Sequence, residues 1–144
     1  MIVVDVESSG VDPIKHSVLS IGAIDFSNPK NQFYGECRVW DGAHIMDEAL
    51  VVNGFTKEQI TDSEKQTEEL LIKSFLLWAN NVDEHTIAGQ NPSFDRDFIH
   101  RAAERSHINW PLAYRTIDLH TACYFHMVKR GLKPPVANKR TDLN

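Results

Sequence analysis

The feature that most constrains this chain is its opening stretch, MIVVDVESSG at positions 1–10. Residues 2–6 form a β-branched apolar run, the composition of a strand buried on both faces. Two carboxylates, Asp5 and Glu7, are set at its end. Side chains alternate along a strand, so positions two apart project from the same side. Two like charges held that close repel unless a proton or a cation intervenes, and hard divalent cations take carboxylate oxygens. Two readings are open. The stretch is half of a metal site on a rigid strand, or it is a strand running out into a polar loop with Glu7 solvated.

A third acid bears on that choice. Residues 86–89 (TIAG) read as a short strand, followed by QNPSFDRDFI at 90–99. Pro92 suits the first turn of a helix. Phe94, Phe98 and Ala102 make an apolar stripe, with Ile99 and Ala103 beside it. Asp95 and Asp97 lie ~200° apart on such a helix, so they cannot share a site. Asp95 falls on the apolar face and points inward at the N-terminal end, where a carboxylate needs a partner or a cation. Asp97 shares its face with His100 and Arg101 and reads as a solvated charge. The expectation is that Asp5, Glu7 and Asp95 converge on one cleft at the end of the first strand.

The rest of the chain supplies a scaffold. Residues 18–26 and 32–40 read as strands joined through the turn-rich segment 27–31, a hairpin. Residues 47–52 suggest a short helix stopped near Gly54, and Thr56 to Gln59 has capping-box spacing. Residues 66–80 carry the clearest helical period, apolar over much of the circumference once Leu70 and Leu77 are included, hence well buried. Residues 113–118 read as a strand and 120–129 as a helix ended by Gly131 and the prolines at 134–135. The tail, 136–144, is polar and basic. Three strands, then helix, strand, helix, strand, helix, define an α/β domain whose sheet begins antiparallel and continues through crossovers into parallel strands.

A length of 144 residues fits one domain with a real core, and 42% hydrophobic with 24% charged residues is ordinary globular composition. No run approaches the ~18 apolar residues of a membrane span, and the N-terminus lacks a secretory pattern. Cys37 and Cys123, far apart and without metal-type spacing, read as reduced, buried cysteines of a cytoplasmic protein. The net charge of −5 argues against gripping duplex nucleic acid by general electrostatics. Residues 1–72 carry 5 Lys and Arg against 13 Asp and Glu, net −8, and residues 73–144 carry 10 against 7, net +3. The acidic first half suits cation binding, and the more basic second half could meet a phosphate backbone. An unevenly charged solvated surface is the plainer account.

These motifs resemble a known family. DVESSG at 5–10 resembles the first motif, D-x-E followed by small residues, of the DEDD superfamily of 3′–5′ exonucleases. That superfamily has the ribonuclease-H-like fold and includes proofreading subunits, ribonuclease T and oligoribonuclease. NPSFDRDF at 91–98 resembles its second motif, N-x-x-F-D, and the TID segment at 116–118 falls where the family has a D-T step. The resemblance implies that Asp5, Glu7 and Asp95 are three of four acids holding two Mg²⁺ or Mn²⁺ ions for phosphodiester hydrolysis. It implies further that Ser8 and Ser9 seat the terminal nucleotide through their backbone, that Val11 packs on the terminal base, and that Asn91 and Phe94 line the same cleft. The implied activity is removal of mononucleotides from the 3′ end of single-stranded DNA or RNA. The alternative is a non-catalytic nucleic-acid-binding or subunit module with the same fold.

The sequence departs from the family at the third motif. Its histidine form is H-x4-D, which carries the fourth acid and the general base. The residues five beyond the seven histidines are Ile21, Ala49, Gln90, Arg105, Leu112, Phe125 and Gly131, none of them Asp. The tyrosine form Y-x3-D occurs only as Tyr114 to Asp118, on a segment that reads as a strand start followed by an Asp capping the next helix. Residues 139–144 resemble the approach to a further helix. The expectation is therefore a single exonuclease-like domain over residues 1–144, C-terminally truncated by its last helices, and inactive or weak as it stands.

Overall fold

β1 (Ile2–Ser8) is the middle strand of a five-stranded sheet in the computed structural model, which describes residues 1–134. The sheet order is β3-β2-β1-β4-β5. β2 (Val18–Asp25) and β3 (Asn28–Glu36) form the antiparallel half, and β4 (Ile87–Gly89) and β5 (Thr116–Asp118) run parallel to β1 on its other side. This mixed sheet flanked by helices is a ribonuclease-H-like fold. The segments read from sequence at 136–144 lie outside the described residues.

β1 is buried on one face only. Ile2, Val4 and Val6 are buried, whereas Asp5 is exposed. The expectation of burial on both faces came from composition, and the alternation of the acids decides otherwise. α3 (Glu68–Ala79) and α4 (Pro92–Arg105) cover the inner face. Leu71, Ile72, Phe75 and Leu76 of α3 and Phe98, Ile99, Ala102 and Ala103 of α4 meet Ile2, Val4, Val6, Ile21 and Ala23 in one core. Leu70 and Leu77 are 51% and 70% exposed, which corrects the reading of an all-round apolar helix. They sit seven positions apart on the solvent side, while the spacing of Leu71, Ile72, Phe75 and Leu76 selects the core side.

The hairpin turn is tighter than the sequence suggested. Only Phe26 and Ser27 lie between β2 and β3, and Pro29 stands inside β3. A proline lacks a ladder donor, and β3 tolerates it because it is the edge strand. β3 also ends early, at Glu36. Cys37 still donates its amide to the Leu19 carbonyl of β2, but Arg38 and Val39 donate theirs to the carbonyls of Gln66 and Ile60, so the extended chain leaves the sheet there. α1 (Asp47–Asn53) and α2 (Lys57–Ile60) form there over a smaller core of Leu19, Leu50 and Ile60. Thr56 and Gln59 make the expected capping box.

α5 (Leu119–Lys129) begins at Asp118, whose carboxylate accepts from the His120 amide as the cap expected at that position. It buries none of its residues among those described. Cys37 is buried and free, and burial pushes its thiol pKa up, whereas Cys123 on α5 is exposed and free. The expectation of two buried cysteines therefore holds for one. No helix among the described residues is long and apolar enough to cross a membrane.

Candidate active site

The site follows from a break in the sheet. β1 pairs with β4 over two positions only, Ile2 with Ile87 and Val3 with Ala88. Gly89 closes this contact: a Cβ there would lie 2.9 Å from the Val4 carbonyl oxygen. Beyond it the β4 side of β1 has no strand partner among the described residues, and a buried backbone amide must find another acceptor. Val6 donates its N–H to Asp95 Oδ1 at 2.8 Å. Asp95 stands in the first turn of α4, 4% exposed, so the helix N-terminus brings a carboxylate to the open edge of β1. After β1 the chain turns to β2 on one side, and after β4 it crosses through α4 to β5 (Thr116–Asp118) on the other. Such switch points at the carboxyl ends of strands are where α/β sheets bind ligands.

Asp5 and Glu7 project from the outer face of β1, across from Gly22 and Ser20 of β2. The register slips between Glu7 and Ser8, a bulge that bends the strand end where the acids stand. Because Val6 follows Asp5 in the chain, the Val6–Asp95 bond puts the Asp95 carboxylate beside the Asp5 backbone. All candidate donors here are carboxylate oxygens, a set that fits Mg²⁺ or Mn²⁺ and not Zn²⁺. Among the described residues, no three His, Cys, Asp or Glu side chains are grouped closely enough to hold an ion. Asp95 engages the strand edge, whereas Asp5 and Glu7 leave the sheet by its face.

The other predicted residues divide. Ser8 and Ser9 are buried, and their groups hold the loop after β1. Ser8 Oγ donates to the Gly10 carbonyl, and Ser9 Oγ donates to the His44 carbonyl. The Ser8 and Ser9 carbonyls accept from Asn53 Nδ2 and the Met46 amide. Val11 is 65% exposed on the following loop. Asn91 is exposed, in left-handed backbone at φ 52°, as N-cap of α4. Phe94 packs on Phe98 with ring centroids 4.9 Å apart, at the margin of the core. Asp97 is half-exposed, as its helix face implied, and its ion-pair partner is the adjacent Arg96. Tyr114 is 68% exposed and precedes β5.

Three supports were not singled out from sequence. His16 packs under Gly10 so closely that a Cβ on Gly10 would lie 2.1 Å from His16 Cδ2. Glu68, 4% exposed, accepts from Ser17 Oγ, the Val18 amide and both Nε and Nη2 of Arg105, while Arg105 Nη1 donates to the Pro13 carbonyl. That network pins the loop between β1 and β2 to α3 and α4. Asn53 clamps Ser8, and its only sequence signal was the Asn-Gly step at the end of a short helix. On β3, Tyr34 donates to Glu36 Oε1 at 2.7 Å, and Lys65 Nζ holds Glu36 Oε2 at 2.6 Å. Lys65 and then Tyr34 hold the Glu36 carboxyl below the usual range. The Glu36 hydrogen bond, with partial burial and the nearby Glu36 and Glu7 charges, pushes the Tyr34 phenol up to about 12.

No family model matches the chain, and no curated protein matches it in sequence. Solved structures do match its fold. A product-bound exonuclease I aligns over 95% of this chain and 34% of its own, with TM-score 0.72 and 16% identity. E. coli exonuclease I in complex with a dT13 oligonucleotide aligns over 95% of this chain and 32% of its own, with TM-score 0.74 and 17% identity. An ExoI/SSB-Ct complex gives the same figures. The chain thus has the fold that exonuclease I carries, and it spans about a third of the length of those proteins. Nothing in the likeness singles out the ribonuclease T or oligoribonuclease subtype.

Proposed function

We propose that this chain carries the acid-bearing part of a metal-dependent 3′–5′ exonuclease that releases mononucleotides from single-stranded DNA or RNA. The observation that carries the reading is the anchoring of Asp95 on the Val6 amide, beside the strand end that presents Asp5 and Glu7. A binding module has no need of Asp5 and Glu7 on one face of the same strand end, where like charges repel. Asp5, Glu7 and Asp95 would hold Mg²⁺ or Mn²⁺, which when bound activates water and neutralises the phosphate. Asp5 and Glu7 present their oxygens from a rigid strand, and Asp95 keeps its position through its bond to Val6. Val11 and Asn91, both exposed beside this end of β1, would contact the terminal nucleotide.

The second reading, a non-catalytic nucleic-acid-binding module, is favoured by two observations. The 144 residues contain no H-x4-D, and among the described residues no three acidic side chains are grouped as an ion's ligands would be. One experiment separates the two. A 5′-labelled single-stranded oligonucleotide is incubated with the chain in Mn²⁺, with Asp5→Asn as control. Slow shortening from the 3′ end by single nucleotides, lost in Asp5→Asn, supports the exonuclease. Binding without shortening supports the module, and neither binding nor shortening overturns both.

A further inference from the structure

The outer face of the sheet carries an aromatic ring in line with the acids. Asp5 pairs with Gly22, and Gly22 with Tyr34, so the three residues form one row across β1, β2 and β3. Glu7, Ser20 and Glu36 form the next row on the same face. α3 and α4 pack on the other face, and Tyr34 is 69% exposed. The residue between the ring and Asp5 has no side chain. A Cβ built on Gly22 would lie 4.0 Å from the Asp5 carbonyl oxygen and 4.0 Å from Tyr34 Cδ2. The ring edge therefore lies in ordinary contact with the glycine position, and no side chain stands between it and the Asp5 backbone.

The ring is also held. Its hydroxyl is fixed on Glu36, and Glu36 is fixed by Lys65. A side chain with two rotatable angles, already tied at its tip, loses little freedom when a planar group stacks on it. The charges around it choose the occupant. Glu7 and Glu36 disfavour an anion at the ring itself, whereas an uncharged planar base meets no such penalty. The phosphates of a strand would lie over Asp5 and Glu7, where a divalent cation held by those acids would offset their charge.

We propose that Tyr34 is a stacking platform for a nucleobase of the single strand whose backbone crosses Asp5 and Glu7. The identity of this occupant rests on the function proposed above. Stacking on an aromatic ring is worth about 1–3 kcal/mol per base, a factor of about 5–150 in affinity.

The test is fluorescence anisotropy of a 5′-fluorescein oligothymidylate with the chain in Mg²⁺. Tyr34→Ala should weaken binding about 5- to 150-fold, while Tyr34→Phe, which keeps the ring, should stay within about threefold of wild type. A matched set of oligonucleotides, each with one abasic position near the 3′ end, requires no folding assumption. One of them should bind the wild type as weakly as Tyr34→Ala binds the intact strand, and should bind both proteins equally. If Tyr34→Ala and every abasic strand bind within twofold of the intact pair, while Asp5→Asn still loses Mn²⁺ binding, the platform is wrong and the proposed function stands. If the wild type binds no oligonucleotide, both fall. If Tyr34→Ala instead abolishes self-association in sedimentation with strand binding unchanged, the ring serves a second copy of the chain and the proposal is overturned.

Discussion

Val6 and Asp95, 89 positions apart in sequence, are joined by one hydrogen bond of 2.8 Å from a backbone amide to a carboxylate. The bond gives Asp95 a structural duty separate from any role toward a cation, so two substitutions read the two duties apart. Asp95→Ala leaves a buried amide unsatisfied and should cost about 1–3 kcal/mol, measured by urea unfolding. Asp95→Asn keeps an oxygen acceptor for Val6 and should cost much less, yet it should lose Mn²⁺ binding in calorimetric titration as fully as the alanine.

Asp5 has no comparable duty, since its side chain is exposed on the outer face. Asp5→Asn should leave stability within about 0.5 kcal/mol of wild type and remove Mn²⁺ binding. Unchanged titration heats in this variant would place the cation elsewhere.

Glu68 and Arg105 form a pair whose halves are unequal. Glu68 is 4% exposed, while the Arg105 side chain retains 25%. Arg105→Leu removes the charged partner and leaves a buried carboxylate, which should destabilise by about 3–5 kcal/mol. Adding Glu68→Gln should recover part of that loss, because the neutral amide no longer needs the guanidinium. Denaturation midpoints of the two singles and the double complete the cycle.

Gly10→Ala should be destabilising by about 1–3 kcal/mol through overpacking, since the new methyl falls on the buried His16 ring. A crystal or NMR structure of the variant should place His16 away from the Asp12 backbone, which now bonds its Nδ1.

The Tyr34 phenol, pushed up to about 12, gives a pH dependence with a definite sign. A group with a raised folded-state pKa binds its proton more tightly when folded. Its contribution is complete below the unfolded value near 10 and is lost as pH rises through about 12. The urea midpoint should fall across that window, and the fall should be smaller in Tyr34→Phe. The difference in tyrosinate absorbance between the two proteins should titrate near 12 and not near 10.

The acids were legible because each followed from a period. Alternation put Asp5 and Glu7 on one side of a strand, and the helical repeat put Asp95 inward and Asp97 outward. Neither period says what an inward carboxylate will bind, so the Val6 amide was invisible until the short β1–β4 pairing was known. Pro29 misled for a related reason: it argues against a strand unless the strand is an edge, and edge position is a property of the whole sheet. Tyr34 was within reach, since hairpin register alone sets it opposite Gly22. The hairpin, however, was read with five turn residues where two suffice, and the correct pairing needs that turn. The burial of Ser9 and the Glu68 network depend on contacts between distant segments, for which local pattern has no signal.

The brevity of the β1–β4 ladder has a spectroscopic consequence. The Val6 amide proton is donated to a side chain and not to a neighbouring strand, so its shielding and its exchange with solvent deuterium depend on that carboxylate. Drawing Asp95 toward a bound cation would lengthen that bond and shift this resonance more than those of Ile2 or Val4. Binding of a diamagnetic ion such as Mg²⁺ would therefore be followed at one backbone amide, in a protein carrying no label but ¹⁵N.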